Sequence, residues 1–170
     1  MDVMLMTSQD TLMRVFKFTP ADLAANRDGG FSDHQIAQFK RRAQLFGGMM
    51  IAGLIVMTLT FSQLPESRLD PEPSPIVVFG FLLALALTGF TGVELFVTVN
   101  VWRRGVVQRA RGQVSLTIDP KRRTFGKLNI GEFEMYVPKS ELAVLQDGAI
   151  YALYYVTPRK QIISLELIEP

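Results

Sequence analysis

LFGGMMIAGLIVMTLTFSQL (45–64) and IVVFGFLLALALTGFTGVELFVTVNVW (76–102) are two apolar runs separated by the acidic, proline-rich stretch PESRLDPEPSP (65–75). Each run reaches or exceeds the ~20 helical residues that cross a ~30 Å hydrocarbon core, and the first carries no charge. The pattern predicts a two-helix transmembrane hairpin with a short external loop. Water-soluble segments flank it: a helical N-terminal segment, residues 1–44, and a β-rich C-terminal segment, residues 103–170. The first run begins far from Met1 and lacks an Ala-x-Ala-like exit, so it is expected to be retained rather than cleaved as a secretory signal.

Basic residues cluster on one side of this hairpin. Lys40, Arg41 and Arg42 precede the first run, and Trp102, Arg103 and Arg104 close the second, followed by Arg109 and Arg111. The connecting loop carries Glu66, Asp70 and Glu72 against a single Arg68. Short flanks rich in Lys and Arg stay cytoplasmic, which predicts a two-span protein of the cytoplasmic (inner) membrane with both termini inside. Lys40, Arg41, Arg42, Trp102, Arg103 and Arg104 are then the expected contacts to lipid headgroups, with anionic lipids as partners.

Within the spans, Gly80, Ala84, Thr88 and Gly92 recur every four residues and form a small-residue stripe that another backbone can approach. Gly48 and Ala52 repeat the spacing in the first span, and the hairpin is expected to close on itself through these faces or to dock laterally on another subunit. Glu94 is an ionisable residue inside an apolar run, about 13 Å from the boundary at Arg103 by helical rise. Thr91 and Thr98 share its face and are its expected hydrogen-bond partners.

The N-terminal segment FTPADLAANRDGGFSDHQIAQFKRR (18–42) contains two helix starts. Thr19 caps one, with Pro20 in the first position, Asp22 three residues on, and Phe18 and Leu23 as a hydrophobic staple. Ser32 repeats the device with Gln35, Phe31 and Ile36. Asn26-Arg27-Asp28-Gly29-Gly30 supplies the stop between them. The same loop resembles an EF-hand calcium loop if Ala24 takes its first position, but Ala24 replaces the first carboxylate and Gln35 the bidentate Glu, so a capped turn is expected and no metal. His34, the single histidine, is expected at the surface. Upstream, Leu12, Val15 and Phe16 share a helical face that would lie on the membrane surface or against a partner.

After Gly112 the pattern alternates. QVSLTID, TFGKLNI, EFEMYV, AIYALYYV and QIISLELI read as five short strands, with turns at Asp119-Pro120, Asp147-Gly148 and Thr157-Pro158-Arg159-Lys160, and a helical turn opened by Pro138-Lys139-Ser140-Glu141. Five strands in so short a segment predict a small cytoplasmic β-barrel-like domain, SH3-like or OB-like. Tyr151, Tyr154 and Tyr155 with Lys121, Arg122 and Arg123 suggest a nucleic-acid groove, but alternation sends Tyr154 to the face opposite Tyr151 and Tyr155. The rings read as core and rim, and no nucleic acid is expected.

The fold class is thus membrane α plus β. The chain has no cysteine, which excludes disulfides, thiolate metal sites and thiol catalysis. No nucleophile elbow, phosphate loop or metal-binding helix motif occurs, so no catalytic residue and no cofactor is expected. The Asn26-Arg27-Asp28-Gly29 turn, the two spans and the ending YALYYVTPRKQIISLE (151–166) resemble bacterial two-span membrane proteins of unknown function. That resemblance implies a bacterial cytoplasmic membrane and no particular activity. The expected function is a non-enzymatic accessory or scaffold subunit of a larger membrane protein complex. The alternative is a self-assembling, homo-oligomeric regulator or channel-like protein that uses Glu94.

Overall fold

The computed structural model describes residues 2–62, 75–117, 124–157 and 160–169. The expected external loop up to residue 74, the Asp119-Pro120 turn, Lys121, Arg122 and Arg123, and Pro158-Arg159 lie outside the described residues. The elements run α1 (Asp2–Phe16), α2 (Pro20–Arg27), α3 (Asp33–Phe61), α4 (Pro75–Arg104), β1 (Val107–Thr117), β2 (Phe125–Ile130), β3 (Phe133–Pro138), α5 (Lys139–Leu142), β4 (Ile150–Val156) and β5 (Gln161–Glu169). They form two compact units. Met1–Gln35 joins Gly105–Pro170 in one, and Ile36–Arg104 makes the other. The N-terminal and C-terminal segments, far apart in sequence, therefore fold together.

In this first unit the five strands make one antiparallel sheet of order β3-β2-β1-β4-β5. β1 is long enough to serve two neighbours in turn: Val107–Gln113 pairs with β4, and Val114–Thr117 pairs with β2. The change of partner falls between Gln113 and Val114, next to Gly112, where an added Cβ would stand 2.7 Å from Gly131 N and 3.0 Å from its Cα. Gly131 sits at φ 57° in the two-residue β2–β3 turn, a left-handed conformation that glycine adopts without steric cost. Two side-chain-free residues thus let a turn lie against a strand, and the sheet curls there. It curls into a half-barrel with β3 and β5 as its two ends, so the barrel-like curvature expected is present in part.

The concave face carries the core. Val114, Leu128, Ile130, Phe133, Val137, Tyr151, Leu153 and Leu165 are buried, and Leu142 and Leu145 cover them from α5 and the turn after it. The Phe133 and Tyr155 rings meet at 4.5 Å between centroids, tilted by 48°. Ala152 and Tyr154 point to the opposite face, yet they are 0 % and 1 % exposed because α1 and α2 lie against β5. The apolar face of α1 has its partner inside the chain: Leu12 is wholly buried.

The capped segment forms as its sequence requires. Thr19 Oγ1 accepts from Asp22 N at 3.1 Å while Thr19 N donates to Asp22 Oδ2 at 2.8 Å, which completes a capping box with Pro20 in the first turn. At the other end of α2, Gly30 N donates to Ala25 O and Gly29 N to Asn26 O, with Gly29 at φ 78°: a Schellman stop. Ser32 and Gln35 repeat the box at the start of α3, at 3.1 and 3.2 Å. α3 then continues without interruption through the basic cluster and the first apolar run.

In the second unit, α3 and α4 hold 29 and 30 residues, about 44 Å each at a rise of roughly 1.5 Å per residue. Both are long and apolar enough to cross a membrane.

Candidate functional site

The small-residue stripe of α4 does meet α3. Ala84 is 3 % exposed, a Cβ on Gly80 would lie 3.6 Å from Thr60 Cγ2, and one on Gly92 would lie 3.7 Å from Met50 Sδ. The α3 side of the contact differs from expectation. Gly48 and Ala52 are exposed, and a Cβ on Gly48 would meet nothing within 4 Å. The residue that permits the approach is Gly53, where a Cβ would stand 2.3 Å from Thr88 Oγ1. Met50, Gly53 and Thr60 share one helical face by their three- and four-residue increments, so the face of α3 that meets α4 is not the one that carries Gly48 and Ala52.

Thr88 behaves unlike its neighbours. Thr58, Thr60, Ser62 and Thr91 each turn their hydroxyl back onto a carbonyl of the preceding turn. Thr88 Oγ1 is buried, aimed at Gly53, and has no hydrogen-bond partner among the described residues. A hydroxyl facing a glycine Cα–H is a weak polar contact that only this close approach makes available.

Glu94 is half-buried on α4, as is Thr98. Thr91 is 1 % exposed and does not serve Glu94 as a donor: its one proton goes to Leu87 O at 2.8 Å. Back-bonding to the i−4 carbonyl is the geometry a helical threonine reaches most easily, and it removes Thr91 from the expected trio.

One end of the helix pair is basic and aromatic. Lys40 Nζ from α3 lies 5.4 Å from the centre of the Trp102 ring, and Arg103 Cζ lies 5.8 Å from it. Arg41, Arg42 and Arg104 are exposed. Away from this end the pair is covered with exposed apolar groups, including Leu45, Ile55 and Leu59 on α3 and Phe79, Phe90 and Phe96 on α4. None of the most apolar 18-residue window of α3 is buried, and only 11 % of that of α4.

In the other unit the polar groups join helices to one another and to the sheet. Asp22 is 1 % exposed and receives Thr19 N, Ser32 Oγ and the His34 ring, whose Nδ1 is 3.0 Å from Oδ2. His34 itself is half-exposed, as expected. Asn26 Nδ2 donates to Ser164 Oγ at 2.7 Å, and Arg27 pairs with Glu166 through both guanidinium and carboxylate atoms. Tyr154 Oη donates to Glu166 at 3.5 Å, and Arg109 lies over the Tyr154 ring. Burial pushes the Tyr154 hydroxyl above its ordinary value, so it stays protonated and able to donate at neutral pH. Sequence reading missed Asn26, Arg27 and Glu166 as a set, because nothing local couples residues so far apart.

The EF-hand register is not realised. Ala24 and Asn26 lie within α2, Asp28 is its C-cap, and Gln35 bonds Ser32 and Ile163 O. Among the described residues no group of three or more His, Cys, Asp or Glu could hold a metal ion. Comparison with known protein families, with curated proteins and with solved structures finds no match to this chain.

Asp22 yields a pH prediction. Burial pushes its carboxyl up, but the hydrogen bonds from Ser32, Thr19 and His34 outweigh this and hold it below the usual carboxylate value. A depressed folded value means the stabilisation is complete above the unfolded value and is lost as pH falls through the folded one. Stability of the α2–sheet unit is therefore expected to drop on acidification below about pH 4, the range of an ordinary aspartate. Asp22→Asn should flatten that part of the profile and cost on the order of 1 kcal/mol at neutral pH. Denaturant unfolding at a series of pH values measures both; an unchanged acid limb would refute the assignment.

Proposed function

We propose that this chain is a non-enzymatic accessory or scaffold subunit of a larger membrane protein complex. It spans a cytoplasmic membrane twice, with both termini on the cytoplasmic side. The observation that carries the membrane assignment is the exposure of large apolar side chains around both long helices. A core helix of a water-soluble protein would bury that surface; hydrocarbon is the solvent in which leaving it exposed is favourable. Lys40, Trp102 and Arg103 then form an interfacial anchor at the cytoplasmic headgroups, with Arg41, Arg42 and Arg104 beside them.

The scaffold reading draws on how the other unit uses its polar groups. Asn26, Arg27, Gln9, Gln35 and Glu166 are engaged in holding α1, α2 and the start of α3 to the sheet, and Asp22 ties α2 to the start of α3. Groups committed to internal structure rigidify a platform, and they leave its remaining surface for recognition. Lateral docking through the exposed Gly48 and Ala52 side of α3 fits the same role.

Two measurements test the reading. Ser67→Cys is expected to react with an impermeant thiol reagent only from the external side, and a C-terminal cysteine only from the cytoplasmic side. Labelling of Ser67→Cys from the cytoplasm would reverse the topology. Purification from native membranes is expected to recover a stoichiometric complex with other proteins. A homo-oligomer that conducts ions would favour the channel-like role of Glu94 instead, and turnover of a lipid or peptide would refute the non-enzymatic assignment.

A further inference from the structure

Arg109 and Arg111 stand two residues apart on β1, so both side chains leave the same face of the sheet, about 7 Å apart along the strand. Both are exposed, and neither guanidinium has an ion pair or a hydrogen bond among the described residues. The carboxylate in the same row of the sheet is already taken. Arg111 lies opposite Ala152 of β4, and Ala152 opposite Glu166 of β5, but Arg27 occupies both oxygens of Glu166.

The Arg109 guanidinium has a fixed seat. Its Cζ lies 5.8 Å from the ring centre of Tyr154, its register partner on β4, and that ring is buried and tied to Glu166 through its hydroxyl. Stacking on a ring sets the plane of a guanidinium without using its N–H donors, which stay available to an oxyanion.

We propose that Arg109 and Arg111 form a binding site for a phosphate group, with the Tyr154 ring as its seat. Two guanidinium groups this close, with no anion between them, repel each other, and each presents a fork of donors that a counter-ion would fill. The pair also selects the shape of that anion. A carboxylate is planar with two oxygens, and Arg27 with Glu166 shows a single guanidinium using both. A phosphate is tetrahedral, and its unesterified oxygens diverge, so it serves two forks at once. The group belongs to an anionic lipid headgroup or to a soluble phosphate ester. Only the lipid source rests on the membrane reading above, and the five residues from Arg104 at the end of α4 to Arg109 span at most about 18 Å of extended chain.

The test uses the full chain in maltoside detergent, with the tyrosine rings isotope-labelled and followed by nuclear magnetic resonance. Inorganic phosphate and dioctanoyl phosphatidylglycerol are titrated separately, against chloride at equal ionic strength. At least one of them is expected to shift the Tyr154 ring resonances saturably, and the one that saturates at lower concentration identifies the source. Arg109→Gln with Arg111→Gln should raise the apparent Kd about tenfold or more, the loss that follows from removing charge-assisted hydrogen bonds. Arg109→Lys with Arg111→Lys keeps the charge but not the planar fork, and should also weaken binding. Circular dichroism checks that the variants fold; if the glutamine pair unfolds, the lysine pair carries the test. Arg41→Gln with Arg42→Gln should leave the Tyr154 response unchanged. No saturable shift with either titrant overturns the proposal. An undiminished response in the lysine or glutamine pair does so too, because it reduces the attraction to diffuse charge. Loss of the response with Arg41 and Arg42 would place the anion at the end of the helix pair instead, and would equally overturn it. Thiol labelling and recovery of a complex decide the membrane topology and the scaffold role separately, so failure here leaves both standing.

Discussion

Gly53→Leu is expected to separate α3 from α4, with a loss on the order of 2–3 kcal/mol in the stability of the pair, the upper part of the overpacking range. A Cβ at this position would stand 2.3 Å from Thr88 Oγ1, and Ala84 O lies 3.7 Å away behind it. Thr88 is β-branched and sits mid-helix, where one or two χ1 wells are open to it, so it can yield only by turning its hydroxyl elsewhere. The milder Gly53→Ala isolates the contact. Its cost should fall sharply in the presence of Thr88→Ala, which removes the oxygen that the new methyl group meets. Thr88→Ala by itself should be near neutral, because the hydroxyl has no partner to lose. A double-mutant cycle on thermal unfolding in detergent measures the coupling. Additive effects of the two substitutions would show that the helices do not meet here. Gly48→Leu supplies the contrast, since nothing lies within 4 Å of its Cβ position and the pair should tolerate it.

Gly112→Ala should cost as much in the other unit, about 2–3 kcal/mol, because the added methyl group meets main chain rather than a movable side chain. Gly131 N and Cα would lie 2.7 and 3.0 Å away, and Gly131 is itself confined to φ 57° with the position of its own Cβ 3.1 Å from Arg111 O. Neither residue can move without breaking the β2–β3 turn or the point at which β1 leaves β4 for β2. Such a loss is a large fraction of the ~5–15 kcal/mol that holds a typical domain folded. Hydrogen exchange would locate it: amides of Val114–Thr117 and of β2 should lose protection first, while the β4–β5 ladder is retained longer. Uniform protection in the variant would show that the bend at Gly112 is not required for the curl of the sheet.

Some of this architecture can be read directly from the chain. Thr19-Pro20 with Asp22, and Ser32 with Gln35, specify helix starts within four residues, and both boxes form. Gly29-Gly30 specifies the stop in the same local way. The five strands announce themselves by alternation, although β1 begins at Val107 rather than after Gly112, because Gln108, Arg109 and Arg111 mask the two-residue period with polar side chains on an exposed edge of the pattern. Helix length in the apolar runs is equally local. It needs only uninterrupted helix-forming, uncharged residues.

What the sequence by itself determined, then, is every feature set within about one helical turn or one strand: caps, stops, apolar runs and the strand count. Tertiary structure alone decided which of these meet. Residues 18–35 and 161–169 carry no signal that they belong together, yet Asn26 with Ser164 and Arg27 with Glu166 join them. The edge of β5 was free to pair with β3 and close a barrel, and the helices α1 and α2 lie against it instead. Gly53 rather than Gly48 faces Thr88, because which face of a helix turns inward depends on the position and rotation of its neighbour, and small-residue spacing repeats on more than one face. Local rules act through bonds a few residues long. The choice among partners is made by packing, which compares surfaces that the chain brings together only once it has folded.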